Sequence, residues 1–459
     1  WRAPLPPAPA HAAPAAAAGP AVDPSLPHGG TPAGLARWWE SAGDPLLVEL
    51  VDAADAASPT LAQAASRIGQ ARAQRVTTGA ALGPTLDATA NISRGFQPQF
   101  FAVATSGQGN LQASWEPDVF GGNRAARDAA QARLEGAQAG WHAARVSLAA
   151  ETANSYVGLR TCEQQVVVAT NDARSRSETA RLADLSTQAG FTAPASSALA
   201  RASAAEASAR ATQQRAQCDI EIKALVALTA LAEPDLRQKL AAAPGPQAQD
   251  AMFSIATVPA EVLAQRPDVL EAERDVAAAS ADLGAARADR FPRLTLSGSI
   301  AAGRVRSGGT TTDLDTWSIG PLSLTVPIFD GGRRAANVDA AQARYEEAAA
   351  LYQARVRQAV REVEEALVSI ESARARNEDA RVATEGYRAS FTATEARYRS
   401  GLASLVELED ARRTALAAET ALVALQRERL AAWIALYRAT GGGWTRSEAT
   451  AAAQPMRQP

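Results

Sequence analysis

An α+β membrane fold is predicted for this chain: a trimer in which each subunit gives four strands to a twelve-stranded β-barrel and carries two very long helical hairpins. Three observations predict it. The 459 residues include 112 Ala, the best helix former and the smallest side chain for close helix packing. One block of sequence returns about 210 positions later, which marks a duplication rather than a solenoid of short repeats. Four short segments alternate apolar and polar residues with period two, the signature of strands with one face of each kind.

Composition narrows the function classes. Hydrophobic residues make up 47% of the chain, but about half of them are Ala, and Leu, Ile, Val and Phe together reach only about 19%, a level met in disordered chains when net charge is high. The net charge is only -3, from 46 basic and 49 acidic residues, so disorder is excluded and no single-sign field invites nucleic acid. No run of 18 or more bulky apolar residues marks a transmembrane helix, and no leader with basic and apolar regions precedes Trp1, as expected of a mature form. The histidines are His11, His28 and His142. Without a metal-ligand cluster, nucleophile elbow or phosphate loop, no enzyme, metal or cofactor is expected.

Taken in order, residues 1–34 are a Pro/Ala-rich arm without a periodic face. The first repeat covers 35–230. Within it Leu86, Ala88, Ala90 and Ile92 alternate with Asp87, Thr89 and Asn91 in a strand of about 82–95, and Leu111, Ala113, Trp115 and Val119 alternate with Gln112, Ser114, Glu116 and Asp118 in one of about 109–119. Long helices follow at about 123–187 and 195–230, since no Pro lies between Pro117 and Pro194. An inter-repeat segment covers 231–265. The second repeat, 266–440, carries strands of about 291–303 and 317–328 and helices of about 333–399 and 403–440, with Val356, Val360, Val363, Leu367 and Ile370 as a coiled-coil seam. Residues 441–459 form the tail. Pro117 pairs with Pro327, and the strand-to-helix turns Gly121 and Gly122 pair with Gly331 and Gly332. Gly190 and Gly401 break the two helical runs. Polar faces carrying Asp87, Glu116 and Asp118 suit a water-filled interior with lipid outside. Four strands cannot close a barrel and open edges are not tolerated in lipid, so three copies are the simplest solution.

The motifs LARWWESAGDPLLVELVDAA, SWEPDVFGGNR, VPAEVLAQRPDVLEAERDVAAASADLGAARADRFPRLTLSGS, RYRSGLASLVELEDARRTAL and ALYRATGGGW resemble those of the TolC/OprM/NodT outer membrane factors, from about Leu35 to Trp444. The resemblance implies a trimeric outer-membrane β-barrel continuing into a long periplasmic α-helical barrel, with an equatorial belt built from Leu35 to Gln74, residues 231–265 and the tail from Gly441 onward. It implies passive conduction from a periplasmic adaptor and an inner-membrane pump of the resistance-nodulation-division (RND) type or an ABC exporter, with outer membrane lipid around the strands. Multidrug or solute efflux is the leading reading; type I protein secretion shares the fold, and a soluble coiled-coil scaffold is the distant alternative. Relatives of the OprM branch carry an acylated Cys at mature position one, which has no counterpart at Trp1, and lipidation stays open.

The same resemblance places an apolar periplasmic constriction at Val406, an acidic ring at Asp410 and its basic partner at Arg413. It implies adaptor contact at the turns of Gly190 with Thr192 and of Gly401 with Ser404. In the first repeat Leu199 stands where Asp410 stands in the second. Cys162 lies as far before Gly190 as Cys218 lies after it, so antiparallel helices would bring them to one height, and a disulfide is expected in the oxidising periplasm.

Overall fold

The structure, a computed structural model, describes Trp39, residues 43–98, 101–243, Gly245, Leu263 and residues 265–442. The N-terminal arm, most of the inter-repeat segment after Ala243 and the tail beyond Gly442 lie outside the described residues. The elements are α1 (Pro45–Ala57), α2 (Pro59–Ala80), β1 (Thr85–Gln97), β2 (Ala102–Trp115), α3 (Gly122–Gln188), α4 (Pro194–Thr229), α5 (Glu233–Ala242), α6 (Pro267–Ala288), β3 (Arg293–Ser307), β4 (Thr310–Thr325), α7 (Arg333–Arg399) and α8 (Leu405–Ala439). They form two compact units.

The first unit gathers 64–140 and 270–355 and contains the strands, an antiparallel sheet in the order β1-β2-β3-β4. The register assigns every side chain to a face. Rungs such as Ala88–Leu111–Ile300–Trp317 carry the apolar side chains, while the alternate rung Thr89–Asn110–Ala301–Thr316 is polar. The apolar side chains stand in the open in the single chain, with Ile92 at 84% and Trp317 at 76% exposure. On the opposite face Ser93 bonds Ser106 at 2.8 Å and Ser299 bonds Ser318 at 2.9 Å. A register shift between Leu296 and Gly298 leaves the apolar set on its own side.

Two strands extend further from the helices than expected, β2 beginning at Ala102 rather than about 109 and β4 at Thr310 rather than about 317. Their far halves are rich in Ser, Thr, Gly and Asp, so the alternation that marks the near halves fades there. At the other end Val119, Val326 and Ile328 fall outside the strands because Pro117 and Pro327 have no amide to donate and pairing stops before them. Glu116 and Asp118 likewise lie beyond β2. Gly308 and Gly309, with φ of +58° and +88°, make the two-residue turn between β3 and β4.

The second unit gathers the described residues of 4–63, 141–269 and 356–459. Antiparallel pairs α3 with α4 and α7 with α8 supply its helical hairpins. Along α7 the positions Val356, Ala359, Val363, Ala366, Ile370 and Ala373 are buried, a heptad with Ala at every second knob, and the expected seam residue Leu367 is buried beside them. Val360 is only half-buried and flanks that seam. Ala at these knobs lets helix backbones approach closely. Trp39 packs on Trp433 and Tyr437 with ring centroids 5.8 and 4.4 Å apart. Asp44 caps α1 through Leu46 N at 3.0 Å and accepts from the buried Tyr156 hydroxyl at 2.5 Å.

Candidate functional site

The strand-to-helix turns fix where each long helix starts. Gly121, Gly331 and Gly332 have positive φ of +79°, +65° and +86°, a region other residues enter at a cost. Gly122 serves differently: a Cβ there would sit 3.2 Å from Ala288 Cβ. Asp118 receives Asn123 N at 3.1 Å and Arg124 N at 2.8 Å, capping α3, so it belongs to a helix start and not to the polar strand face. Burial acts to raise its pKa, but the backbone and side-chain bonds from Arg124 and Asn123 prevail and hold it below the usual carboxylate value. Asp330 does the same work for α7 from two positions before Gly332, accepting Gly332 N at 3.1 Å and Arg334 N at 3.2 Å.

At the far ends of the hairpins the two turns share one backbone design. Gly190, with φ +79°, donates to Thr187 O at 3.0 Å and Phe191 N donates to Ser186 O at 2.9 Å; Gly401, with φ +73°, repeats this to Tyr398 O at 3.0 Å while Leu402 N reaches Arg397 O at 2.8 Å. This pairing of bonds is the Schellman motif. It leaves Phe191 and Leu402 standing out at 87% and 70% exposure. Thr192 bonds the Ser186 hydroxyl, and Pro194 opens α4 without a side-chain cap. Ser404 forms a full capping box with Glu407, Glu407 N to Ser404 Oγ at 3.1 Å and Ser404 N to Glu407 Oε2 at 2.7 Å. Such a cap stabilises a helix start by about 1 kcal/mol.

The first turns of α8 sort their residues sharply. Val406 is 70% exposed. Asp410 and Arg413 also project outward and pair with each other one turn apart along the helix, so their link lies within α8 of one chain. Leu408 is fully buried. Glu409 turns the other way, to Arg176 on α3 and Arg412 on its own helix. Around it Arg176 bonds Asp172 at 2.9 Å, and Arg412 bonds Thr179 at 2.8 Å and Ser175 at 3.1 Å. Burial pushes the Arg412 guanidinium below its ordinary value; Glu409 opposes this and Arg176 adds to it. This network escapes sequence reasoning because only the Asp172–Arg176 and Glu409–Arg412 spacings are local; the links between α3 and α8 join residues more than 230 positions apart. A groove of about 710 Å³ is lined by Leu199, Val406, Asp410 and Arg413 beside Arg176 and Glu409. Cys162 and Cys218 are joined by a disulfide with Cα atoms 5.6 Å apart, tying α3 to α4.

The profile of the outer membrane efflux protein family matches residues 50–231 and again 258–442, one match for each repeat. The chain belongs to that family. It is the family that the sequence motifs resemble. Among relatives, the pyoverdine export outer membrane protein OpmQ of Pseudomonas aeruginosa is 32% identical over 425 residues, covering 89% of this chain and 88% of OpmQ. Outer membrane protein OprJ of the same organism is 31% identical over 419 residues, covering 89% and 86%. The solved outer-membrane channel OprN superposes with a TM-score of 0.80 at 29% identity, over 94% of this chain and 98% of that chain. As an outer membrane efflux protein, the chain lies in the outer membrane and extends into the periplasm. Three copies close a twelve-stranded barrel that continues into a helical barrel. The apolar strand face therefore meets lipid and the polar face the water-filled lumen.

Proposed function

We propose that this outer membrane efflux protein is the exit duct of a tripartite pump for small molecules, driven by an RND-type transporter and joined to it by a periplasmic adaptor. The observation that carries the reading is the match of both repeats to the efflux family, and the name of OpmQ, a pyoverdine export protein, favours small-molecule cargo over secreted protein. The chain itself makes or breaks no bond in this role: it supplies a polar lumen, and energy enters through its partners.

The periplasmic mouth is formed by the start of α8. Val406 is the apolar constriction and Asp410 the acidic ring, three carboxylates near one axis that attract cations and repel anions. Arg413 moderates that charge through its pair with Asp410. Outward projection of these three, while Leu408 is buried and Glu409 turns to Arg176, supports the assignment. The turns at Gly190 and Thr192 and at Gly401 and Ser404 receive the adaptor, with exposed Phe191 and Leu402 as apolar anchors.

Expression in a Gram-negative host that lacks its own efflux channel, together with a periplasmic adaptor and an RND-type pump, tests the reading. The expected result is restored expulsion of a preloaded fluorescent dye and capture of the adaptor by crosslinking at Phe191→Cys or Leu402→Cys. Dye retention despite normal amounts of trimer contradicts it.

A further inference from the structure

The lipid-facing side of the sheet changes character near the hairpin ends. From Leu294 to Arg304 is ten residues, about 33 Å along a strand. At a tilt of about 40° that rises about 25 Å, the height of the apolar band of such barrels. The register then gives two successive rungs on this face: Ile92–Gly107–Arg304–Asp313 and, one step further out, Arg94–Thr105–Arg306–Thr311. Three arginines thus collect on two successive rungs of this face, with the exposed pair Phe96 and Val103 on the rung beyond them. The arginines line a groove of about 610 Å³ together with Ile92, Thr105 and Gly107.

The groove has a built form. Gly107 has no side chain, and stands between Ile92 and Arg304 on its rung, so the groove's floor is open there. Arg94 and Arg306 flank Thr105 on neighbouring strands, about 5 Å away on each side, close enough for both guanidinium groups to reach one anion over its hydroxyl. Arg304 is held by Asp313 at 2.6 Å, while Arg94 and Arg306 have no carboxylate partner among the described residues. Asp315 lies on the same face one rung nearer the helices, beside Ala302 and outside the groove. Two uncompensated cations at a membrane boundary call for an anion.

Because the helices extend into the periplasm, the hairpin ends reach the outer leaflet. The amphiphiles there are glycolipids bearing phosphates on glucosamine. We propose that Arg94 and Arg306, with Arg304 set by Asp313, bind a phosphate of an outer-leaflet glycolipid, whose acyl chains lie along Ile92, Leu111 and Ile300. Arginine forks suit a phosphate better than a point charge does, and basic clusters beside an apolar band are the usual form of lipid headgroup recognition. The site gives each subunit a lipid that fills the furrow over Gly107.

Native mass spectrometry of the intact trimer tests this, with bisphosphorylated lipid A, its dephosphorylated counterpart and inorganic phosphate as probes. Wild type is expected to retain up to three phosphorylated lipids per trimer and to prefer them at least about tenfold over the dephosphorylated form, as charge-assisted pairing requires. The R94Q/R306Q variant is expected to lose that preference while keeping the trimer. Equal retention of both lipids by wild type overturns the proposal, as does unchanged preference in the variant. Displacement of the lipid by low millimolar inorganic phosphate overturns the glycolipid as the source of the anion. Should the variant fail to assemble, the wild-type comparison of the two lipids decides alone.

Discussion

The two hairpin tips of the second unit have one backbone and two chemistries. Both turn on a glycine with nearly the same φ and the same pair of closing bonds. The first hairpin is then tied covalently by Cys162–Cys218 and opens its return helix on Pro194. The second has no such tie and is held by polar links, Thr384 Oγ1 to Ala418 O at 3.2 Å and Arg429 to Asn377 at 3.0 Å. It opens on a capping box and presents Asp410 where the first presents Leu199. The two hairpins share a backbone design at the tip, but one carries a covalent tie and Leu199 where the other carries polar links and Asp410.

The largest effect in this comparison is expected at the contact between them. Arg176→Ala leaves Asp172 and Glu409 facing each other with much of their countercharge gone, and loss of one partner from a largely buried pair costs about 3 kcal/mol. A clear fall in the melting temperature of the trimer checks it; a value equal to wild type shows that the network carries little.

Next is the disulfide. Cys162 and Cys218 are 56 residues apart, and a crosslink closing a loop of that size contributes about 2 to 4 kcal/mol. The C162S/C218S variant is expected to melt lower and to expose α3 and α4 to protease, with α7 and α8 unchanged. Equal protection of both hairpins in wild type and variant removes the distinction drawn between them.

Ser404→Ala removes one half of the capping box and is expected to cost about 1 kcal/mol. Thr192→Ala, which removes only a hydroxyl contact, is expected to cost less, measured by the same thermal unfolding. A pH dependence is expected at His142. Burial, followed by the neighbouring Arg145, lowers its pKa from 6.5 to about 4. The folded protein thus keeps a neutral imidazole while the unfolded chain takes up a proton. Its contribution is fully present above pH 6.5 and is lost as pH falls toward 4, so His142→Gln is expected to flatten the melting temperature across that window.

Much of this was legible in the sequence. Period-two runs located the lipid-facing strand halves because Leu86, Ile92, Leu111 and Ile300 must alternate there. Paired glycines located all four turns, since positive φ leaves few alternatives. The far halves of β2 and β4 were not legible, because Ser, Thr, Gly and Asp there interrupt the apolar face and the alternation fades. Asp118 was assigned to the polar strand face because its parity fits a strand; that it caps α3 follows only from where Pro117 ends the pairing. The Arg176–Glu409 and Arg412–Thr179 links depend on the packing of helices far apart in sequence, and no local spacing encodes that.

The charged mouth of the second hairpin is the central claim, and single-channel recording of the purified trimer in planar bilayers tests it most directly. Asp410→Ala is expected to raise conductance and to weaken block by multivalent cations, while Leu199→Asp strengthens the block. Conductance and block unchanged in Asp410→Ala would take Asp410 out of the constriction and contradict the account.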